Sequence, residues 1–315
     1  MKIAVFMGGS SDEREVSLMS GNAIYSGLKE KYQDVTLFDV EWSGKDTLFS
    51  AVTESLESGT DIIFSALHGG LGENGGIQGI LEAAGLTYTG SGITASAIAM
   101  NKEITKSLFS RYGIPTAPWL SGIPDKLDTS RIETEIGFPH VIKPVDQGSS
   151  IGLSVVNEPN EIPAAIEYAA RYGELLMAEK YIAGKELSVP ILGDDALPVI
   201  EIIPSHKMYD YECKYKPGLT EYVVPANIPD SLTFEIQSLA RKAFDILGLR
   251  DIARIDFRLD ENDTPLCFEA NTLPGMTATS LVPKSAAKAG IDFPELVSRI
   301  AELAFKRKGK KRIWH

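Results

Sequence analysis

The 315-residue chain has an ordinary globular composition: 43% of its residues are hydrophobic, 23% are charged, and the formal net charge is −12. This acidic balance argues against a nucleic-acid partner, because phosphate contacts need positive surface. No apolar run reaches the roughly 18 residues of a membrane-spanning helix, and two cysteines are too few for a disulfide framework. We therefore expect a cytoplasmic protein with neither a membrane nor a nucleic-acid partner.

Strand and helix patterns alternate over residues 1–100, as is typical of a parallel α/β sheet. We expect an N-terminal doubly wound domain here. The predicted strands are Lys2–Met7, Asp34–Val40 and Asp61–Ala66, and the predicted helices run from Ser10 to about Lys31 and over Ile77–Ala84.

After residue 100 the pattern becomes α+β. A helix over Ala95–Tyr112 is expected to be interrupted at Asn101, a good N-cap for the residues that follow. Further helices are predicted at 162–172, 234–249 and 293–305, and strands at 141–144, 152–156, 175–182, 252–259 and 265–270.

A glycine motif, Gly70-Leu71-Gly72-Glu73-Asn74-Gly75, matches the G-x-G-x-x-G pattern of dinucleotide-binding proteins. It follows the third strand instead of the first, and no acidic residue lies about 20 positions further on to bind a ribose. A nicotinamide-dependent dehydrogenase is therefore a weak alternative. We expect the loop to bring His68 into a cleft at the carboxyl ends of the strands.

The most informative segment is a hairpin that carries acidic residues. Side chains alternate along a strand, so Arg254, Asp256 and Arg258 share one face. If the hairpin is centred between residues 262 and 263, Asp256 lies opposite Glu269 and repels it. A Mg²⁺ or Mn²⁺ ion would offset this repulsion, and so would a lattice of salt bridges to the two arginines. An odd-length turn would break the register on which both interpretations depend.

Four further candidates each have a structural alternative. The loop Gln147–Gly152 could cover phosphates beside Lys143, or could be an ordinary surface turn. Lys102 could also contact a phosphate, or could be an ordinary helix lysine that is exposed to solvent. Glu13 could bind a substrate ammonium in the cleft, or could complete a capping box that begins at Ser10. Ser280 could help to bind a carboxylate at a helix start, or could only cap that helix.

Taken in chain order, several short strings resemble the D-alanine–D-alanine ligase family of ATP-grasp enzymes over nearly the whole chain. The strings are Gly8-Gly9-Ser10 with Glu13-Arg14-Glu15-Val16-Ser17, Ala66-Leu67-His68-Gly69, Tyr88-Thr89-Gly90-Ser91-Gly92, Met100-Asn101-Lys102, Ile142-Lys143-Pro144 with Gly148-Ser149-Ser150, Tyr209-Asp210-Tyr211 with Lys214-Tyr215, Arg254-Ile255-Asp256, and Glu269-Ala270-Asn271-Thr272 with Pro274-Gly275-Met276-Thr277.

The resemblance implies an ATP-grasp fold with an N-terminal substrate domain (1–100), a central subdomain (101–184) and a C-terminal subdomain (185–315). It implies that ATP phosphorylates the carboxylate of one D-alanine, and that the amine of a second attacks the acyl phosphate for peptidoglycan precursor synthesis. It also implies a homodimer and a mobile lid, the ω-loop, over Lys207–Tyr222.

On the substrate side, the resemblance assigns roles by position. Glu13 would bind the first ammonium, with Val16 and His68 nearby, and Ser149 would connect Glu13 to the glycine loop. Tyr215 marks the pattern that forms a dipeptide and not an ester. Arg254 and the Gly275 N–H would stabilise the tetrahedral oxyanion, and Ser280 and Leu281 would hold the second carboxylate.

On the nucleotide side, the resemblance implies two Mg²⁺ ions and a bound ATP. Phosphates would be held by Lys102, Lys143 and Lys214. Adenine and ribose would be held by Glu179, Lys180, Ile182 and Glu186, and the metal ions by Asp256, Glu269 and Asn271. Two other hypotheses for the function remain open. The chain could be an ATP-grasp ligase for another amino or hydroxy acid, or a nucleotide-binding module without catalytic activity.

Overall fold

The computed structural model describes residues 1–43, 46–205 and 218–309. Its strands are β1 (Ile3–Gly8), β2 (Val35–Val40), β3 (Ile62–Ser65), β4 (Trp119–Gly122), β5 (His140–Pro144), β6 (Ser154–Val156), β7 (Leu176–Lys180), β8 (Glu186–Leu192), β9 (Asp195–Ala196), β10 (Ile200–Pro204), β11 (Thr220–Val223), β12 (Ile252–Leu259) and β13 (Pro265–Asn271). Its helices are α1 (Arg14–Lys29), α2 (Leu48–Glu57), α3 (Gly76–Ala83), α4 (Ile93–Met100), α5 (Lys102–Arg111), α6 (Thr129–Arg131), α7 (Ile162–Ala170), α8 (Asp230–Ile246), α9 (Leu281–Lys288) and α10 (Phe293–Phe305). None of these helices is long and apolar enough to cross a bilayer.

The N-terminal sheet is parallel, in the order β2-β1-β3. Its central strand, β1, is buried along its whole length, as a parallel strand covered on both faces should be. One face packs on α1 and α10, and the other on residues of α2 and α3. The expectation of a doubly wound sheet is confirmed, although sequence reasoning did not single out α2.

Two antiparallel sheets follow. The smaller has the order β4-β7-β5-β6, and α7 covers the apolar face that carries Ile142 and Ala178. The larger has the order β11-β10-β8-β12-β13, with the short strand β9 beside β8. Its apolar face packs on α8, α4 and α5. Because each sheet buries one face in its own core, the opposite faces are free to form a cleft between them.

The α4–α5 junction lies where the sequence predicts it. Asn101 is extended, and its side chain accepts a hydrogen bond of 3.0 Å from the backbone N–H of Ile104. This cap satisfies one of the N–H groups that a helix start leaves without a partner. Helix α5 then packs against β13, and its buried face includes Lys102 and Lys106.

The acidic hairpin contains a β-bulge that sequence reasoning did not predict. Its turn, residues 260–264, has five residues, so the strands next to it pair Leu259 with Pro265. The register then shifts between Asp256 and Phe257, and Asp256 lies opposite Glu269. The odd-length turn should have turned Glu269 to the other face. The extra residue of the bulge reverses this effect, so Phe268 and Glu269 both line the cleft.

Candidate active site

Two cavities meet at the centre of the molecule. A cleft of about 1040 Å³, including its open mouth, lies between the two antiparallel sheets. A second cavity of about 1440 Å³, measured in the same way, lies between the N-terminal sheet and the segment 269–282. The residues that line both are Lys102, Gly148, Ser149, Arg254 and Glu269. A group passed from one ligand to the other would be transferred at these five residues.

The floor of the cleft holds a buried carboxylate between two lysines. Glu179 Oε2 accepts from Lys143 Nζ at 2.6 Å, and Glu179 Oε1 accepts from Lys106 Nζ at 2.5 Å. Burial alone would raise the pKa of Glu179, but the charges of Lys143 and Lys106 outweigh it and lower the pKa to about 2. The carboxylate is therefore ionised at neutral pH, with one lysine on each of its two oxygens.

Lys102 reaches the wall that the two cavities share. Its Nζ donates to the backbone carbonyl of Gln147 at 2.6 Å and lies 3.9 Å from Glu269 Oε1. Burial lowers the pKa of Lys102, and the nearby carboxylate of Glu269 opposes this shift. A solvated helix lysine is thereby excluded for Lys102, since its side chain is directed into the site.

The face of the hairpin in the cleft combines acidic residues with arginine. Asp256 accepts from Arg254 at 2.9 and 2.7 Å and from Ser188 Oγ at 2.6 Å. Arg258 pairs with Glu186 and not with Asp256. The salt-bridge interpretation therefore holds for Asp256 and Arg254, while Glu269 still lies opposite Asp256 on the cleft side.

The metal prediction is not tested by this arrangement. Among the described residues, no group of three His, Cys, Asp or Glu side chains gathers closely enough to hold an ion by itself. Asn271, the third predicted ligand, directs its Oδ1 to the N–H of Leu273 at 3.0 Å. The two carboxylates, Asp256 and Glu269, nevertheless fit a Mg²⁺ ion that takes one or two carboxylates and completes its shell with substrate phosphates and water.

The outer end of the cleft is lined by Lys180, Ile182 and Glu186. The Lys180 ammonium donates to the Phe138 carbonyl at 3.0 Å, and the Ile182 carbonyl accepts from Arg258 at 3.0 Å. This end thus combines backbone groups, an apolar side chain and a carboxylate, which are suited to a heterocycle and its sugar.

The glycine loop connects the cleft to the N-terminal sheet. Ser149 Oγ donates to the carboxylate of Glu13. Ser149 and Ser150 both have positive φ angles, 49° and 60°, and such strained backbone is concentrated at functional sites. The backbone of Gly69 packs directly against the same carboxylate. A Cβ atom at Gly69 would lie only 2.7 Å from Glu13 Oε2, so a larger residue would not fit there.

The capping-box alternative for Glu13 is wrong. Helix α1 begins at Arg14, with Glu13 itself at the N-cap position and no side-chain cap. The hydroxyl of Ser10 instead accepts from the backbone of Trp42 at 3.2 Å. The Glu13 side chain is therefore available to line the second cavity, with Val16 and His68 beside it.

His68 is fixed from both sides of its ring. Nδ1 lies 3.3 Å from Glu73 Oε1, and Nε2 lies 3.2 Å from Ser20 Oγ. Ser20 also accepts from the N–H of Met276 at 3.3 Å. The helix α1 and the loop after β13 are thus held together at the second cavity.

The far wall of this cavity is the start of α9. Gly275, Ser280 and Leu281 all line it. The Ser280 hydroxyl accepts from the N–H of Thr277 at 3.0 Å and makes no side-chain cap to its own helix. The N-capping alternative for Ser280 is therefore wrong, and the first N–H groups of α9 remain for a carboxylate.

Three site residues escaped sequence reasoning: Lys106, Ser188 and Ser20. Lys106 lies four residues after Lys102, so both share a helix face, while the apolar Ile104 between them is 44% exposed. The exposure of Ile104 is known only from the structure, so nothing within the sequence of α5 indicated that its two lysines face inward. Residues 207–217 of the predicted ω-loop, which include Lys214 and Tyr215, lie outside the described residues. Residues 220–222 of that loop belong to β11.

Comparison with known proteins gives a consistent result. Residues 42–91 match the family model for the D-ala D-ala ligase N-terminus, and residues 108–302 match the model for the C-terminus. A D-alanine–D-alanine ligase of Pelotomaculum thermopropionicum is 41% identical over 322 residues, covering 99% of each chain. The chain belongs to the D-alanine–D-alanine ligase family.

Solved structures of family members agree. The D-alanine–D-alanine ligase of Bacillus anthracis superposes with a TM-score of 0.84 at 33% identity, over 98% of both chains. The same enzyme complexed with ATP gives a TM-score of 0.82 at 32% identity. Among relatives compared by sequence alone, a D-alanine–D-alanine ligase of Rhodospirillum rubrum is 43% identical over 96% of this chain and 98% of its own. The ATP-grasp fold expected from the sequence is confirmed.

Proposed function

We propose that this ligase joins two D-alanine molecules into D-alanyl-D-alanine at the expense of ATP, in the synthesis of peptidoglycan precursors. The observation that carries the proposal is the shared wall of the two cavities. A nucleotide in the cleft and an amino acid against Glu13 would both reach Lys102, Ser149, Arg254 and Glu269. This is the geometry needed to transfer a phosphoryl group between two bound ligands.

The nucleotide would lie between the two antiparallel sheets. Lys180, Ile182, Glu186 and the buried Glu179 would hold adenine and ribose. Lys143, Lys102 and Lys214 would neutralise the phosphates, with the loop at Ser149 and Ser150 folded over them. Asp256, Glu269 and Asn271 would hold Mg²⁺ or Mn²⁺ ions, which supply charge neutralisation at the transferred phosphoryl group when they are bound.

The first D-alanine would bind through its ammonium to Glu13, with Val16 and His68 beside it. Its carboxylate then points to the shared wall, where an oxygen of the carboxylate attacks the terminal phosphorus of ATP and ADP leaves. A carboxylate is a poor electrophile, and its acyl phosphate is a good one, because phosphate is a better leaving group than an oxide.

The second D-alanine would bind with its carboxylate at Ser280 and Leu281, at the start of α9. Its amine attacks the acyl carbon. Arg254 and the Gly275 N–H would stabilise the oxyanion that develops, and Tyr215 would complete the site from the ω-loop. Phosphate leaves with the electrons of the broken carbon–oxygen bond, the attacking nitrogen loses one proton to the departing phosphate, and the peptide bond remains.

Two assays test this proposal. With ATP, Mg²⁺ and D-alanine, we expect ADP and phosphate to appear only in the presence of D-alanine, and the product to have the mass of the dipeptide. With D-lactate in competition, the dipeptide should remain the dominant product, whereas a dominant ester would assign the chain to the alternative with a hydroxy-acid substrate. Phosphate release that does not respond to D-alanine would exclude the ligase.

The oligomeric state and the location in the cell are further proposals. Family membership favours a homodimer. A reaction between two diffusible amino acids and ATP suits the cytoplasm, where these molecules are dissolved. Light scattering of the purified protein should give about twice the mass of 34.2 kDa for one chain; a monomer mass would contradict the dimer.

A further inference from the structure

Lys106 is a fully buried lysine that the catalytic scheme above does not use. Its Nζ lies 2.5 Å from Glu179 Oε1 and 2.5 Å from Thr116 Oγ1, and 5.0 Å from the ring centroid of Trp119. Lysine is almost never fully buried unless it is paired, and burial lowers the pKa of this ammonium against the attraction of Glu179. A purely structural role would be served at lower cost by a neutral side chain.

The position of Lys106 is behind the site, not in it. Glu179, Lys143 and Lys102 are among the described residues that line the cleft, whereas Lys106 is not. Lys102 and Lys106 lie one helical turn apart on α5, so the same helix directs one ammonium to the cleft wall and the other to the back of Glu179. Lys106 can therefore act on a ligand through Glu179 and Lys143 alone.

The charges of this cluster point to its purpose. One lysine is enough to neutralise one carboxylate, but Glu179 has an ammonium on each of its two oxygens. When Lys143 turns to a phosphate, Glu179 would be left as a buried carboxylate without a counterion, which is strongly unfavourable. A second ammonium, fixed on the other oxygen, removes that penalty.

We propose that Lys106 is a positioning residue of the nucleotide site: it keeps Glu179 neutralised and in place, so that Lys143 is free to leave Glu179 for a phosphate. The inference rests on the proposed function, because it takes the ligand of the cleft to be a nucleotide. It adds a residue that touches neither substrate and assigns it an effect on phosphate binding.

The decisive comparison is between ADP and adenosine, measured by calorimetry on the wild type and on K106M. Without Lys106, Lys143 is the sole described counterion of Glu179 and stays with it. ADP affinity should fall about tenfold, while adenosine affinity should change less than about twofold. If Lys106 had only a structural role, K106M would lower the affinities for ADP and for adenosine by similar factors.

Three further variants control the result. F109L removes packing from the same helix at a fully buried, uncharged position in the core of the larger sheet. If F109L lowers the melting temperature as much as K106M does, its ratio of ADP affinity to adenosine affinity should still equal that of the wild type. In an E179Q background, adding K106M should change ADP affinity less than about twofold, because there is no longer a carboxylate to neutralise. Should K106M fail to fold, K106Q carries the same expectation, since it can still donate to Glu179 and Thr116 but has no charge.

The outcomes separate this inference from the proposed function. If the wild type binds ADP and releases phosphate with D-alanine, but K106M and K106Q bind ADP normally, only the role of Lys106 is excluded. An equal loss of ADP and adenosine affinity excludes it as well. If the wild type itself binds no ADP, the proposed nucleotide cleft is wrong.

Discussion

The two cavities of this ligase are constructed differently. The floor of the cleft between the two antiparallel sheets is a buried network of full charges, in which Glu179, Asp256 and Glu186 each pair with lysine or arginine. The second cavity is held together by contacts between hydroxyls, backbone and single charges, such as Ser149 with Glu13 and Ser20 with Met276. Buried ion pairs fix geometry because breaking one is costly, whereas single hydrogen bonds can open and close.

This contrast assigns different tasks to the two cavities. We propose that the cleft is organised in advance for a highly charged ligand, and that the contact between Ser149 and Glu13, already present in the structure, can open and close during use of the amino acid. Changes in the cleft floor should therefore affect the chemistry and the acid stability. Changes at the Ser149 contact should affect the use of D-alanine and little else.

The largest expected effect is that of E269Q. This change removes one of the two carboxylates proposed to hold a metal ion at the shared wall. We expect the rate of D-alanine-dependent phosphate release to fall about 1000-fold, the order of several kcal/mol of transition-state stabilisation. Added Mg²⁺ with ADP should raise the melting temperature of the wild type and not that of E269Q.

The matched control is E261Q, which removes the same charge from the exposed turn of the same hairpin. It should retain wild-type activity within about twofold. Substantial activity in E269Q would mean that the salt bridges alone explain the acidic hairpin.

Acid should destabilise the cleft floor through Glu179. Its pKa is lowered from 4.5 to about 2 in the folded protein, so the stabilisation is fully present above pH 4.5 and is lost as the pH falls towards 2. The shift corresponds to about 3 kcal/mol. Urea unfolding between pH 5 and pH 3 should show a steeper loss of unfolding free energy in the wild type than in E179Q.

E167Q is the control for this experiment, because Glu167 forms an exposed i,i+4 pair with Arg171. Such pairs contribute little, so the pH profile of E167Q should follow that of the wild type. Parallel profiles for the wild type and E179Q would show that Glu179 titrates normally.

The smallest of these effects is expected for S149A, which removes the hydrogen bond to Glu13. A bond to a charged group contributes about 1.5–3 kcal/mol, so kcat/KM for D-alanine should fall about 10- to 100-fold. ADP affinity should change less than about threefold. In the E13Q background, S149A should have a much weaker effect, as a double-mutant cycle would measure.

A loss in S149A that is the same with and without the E13Q change would contradict the link between the two residues. It would also remove the basis for the contrast between the cleft, which buried ion pairs hold in place, and the second cavity, whose Ser149–Glu13 contact can open and close.

Local sequence patterns predicted much of the fold. The strand Ile252–Leu259 and the helix Phe293–Phe305 have the predicted bounds, and the cap at Asn101 lies where expected. These features depend on alternation, periodicity and a capping side chain, all of which are visible in the sequence. The prediction placed Glu269 on the correct face although it assumed a turn of the wrong length. An unforeseen bulge compensates for the odd-length turn and restores the register.

The remaining features depend on packing between distant segments. Lys106 is buried because α5 lies between β13 and the small sheet, and no pattern within α5 states that its lysines face inward. The alternative for Ser10 failed for a related reason, because its hydroxyl accepts from the N–H of Trp42, 32 residues away. The alternative for Ser280 failed for a local reason, because its hydroxyl accepts from the N–H of Thr277 in the preceding turn. Tertiary contacts therefore decided which polar side chains reach the site.

The central claim is that the two cavities meet so that the phosphoryl group passes directly from ATP to the carboxylate of D-alanine. D-Alanine labelled with ¹⁸O in its carboxylate tests this transfer most directly, with the released phosphate analysed by mass spectrometry. We expect one labelled oxygen in each phosphate, because the acyl carbon–oxygen bond breaks when the second amine attacks. Unlabelled phosphate released together with the dipeptide would contradict it.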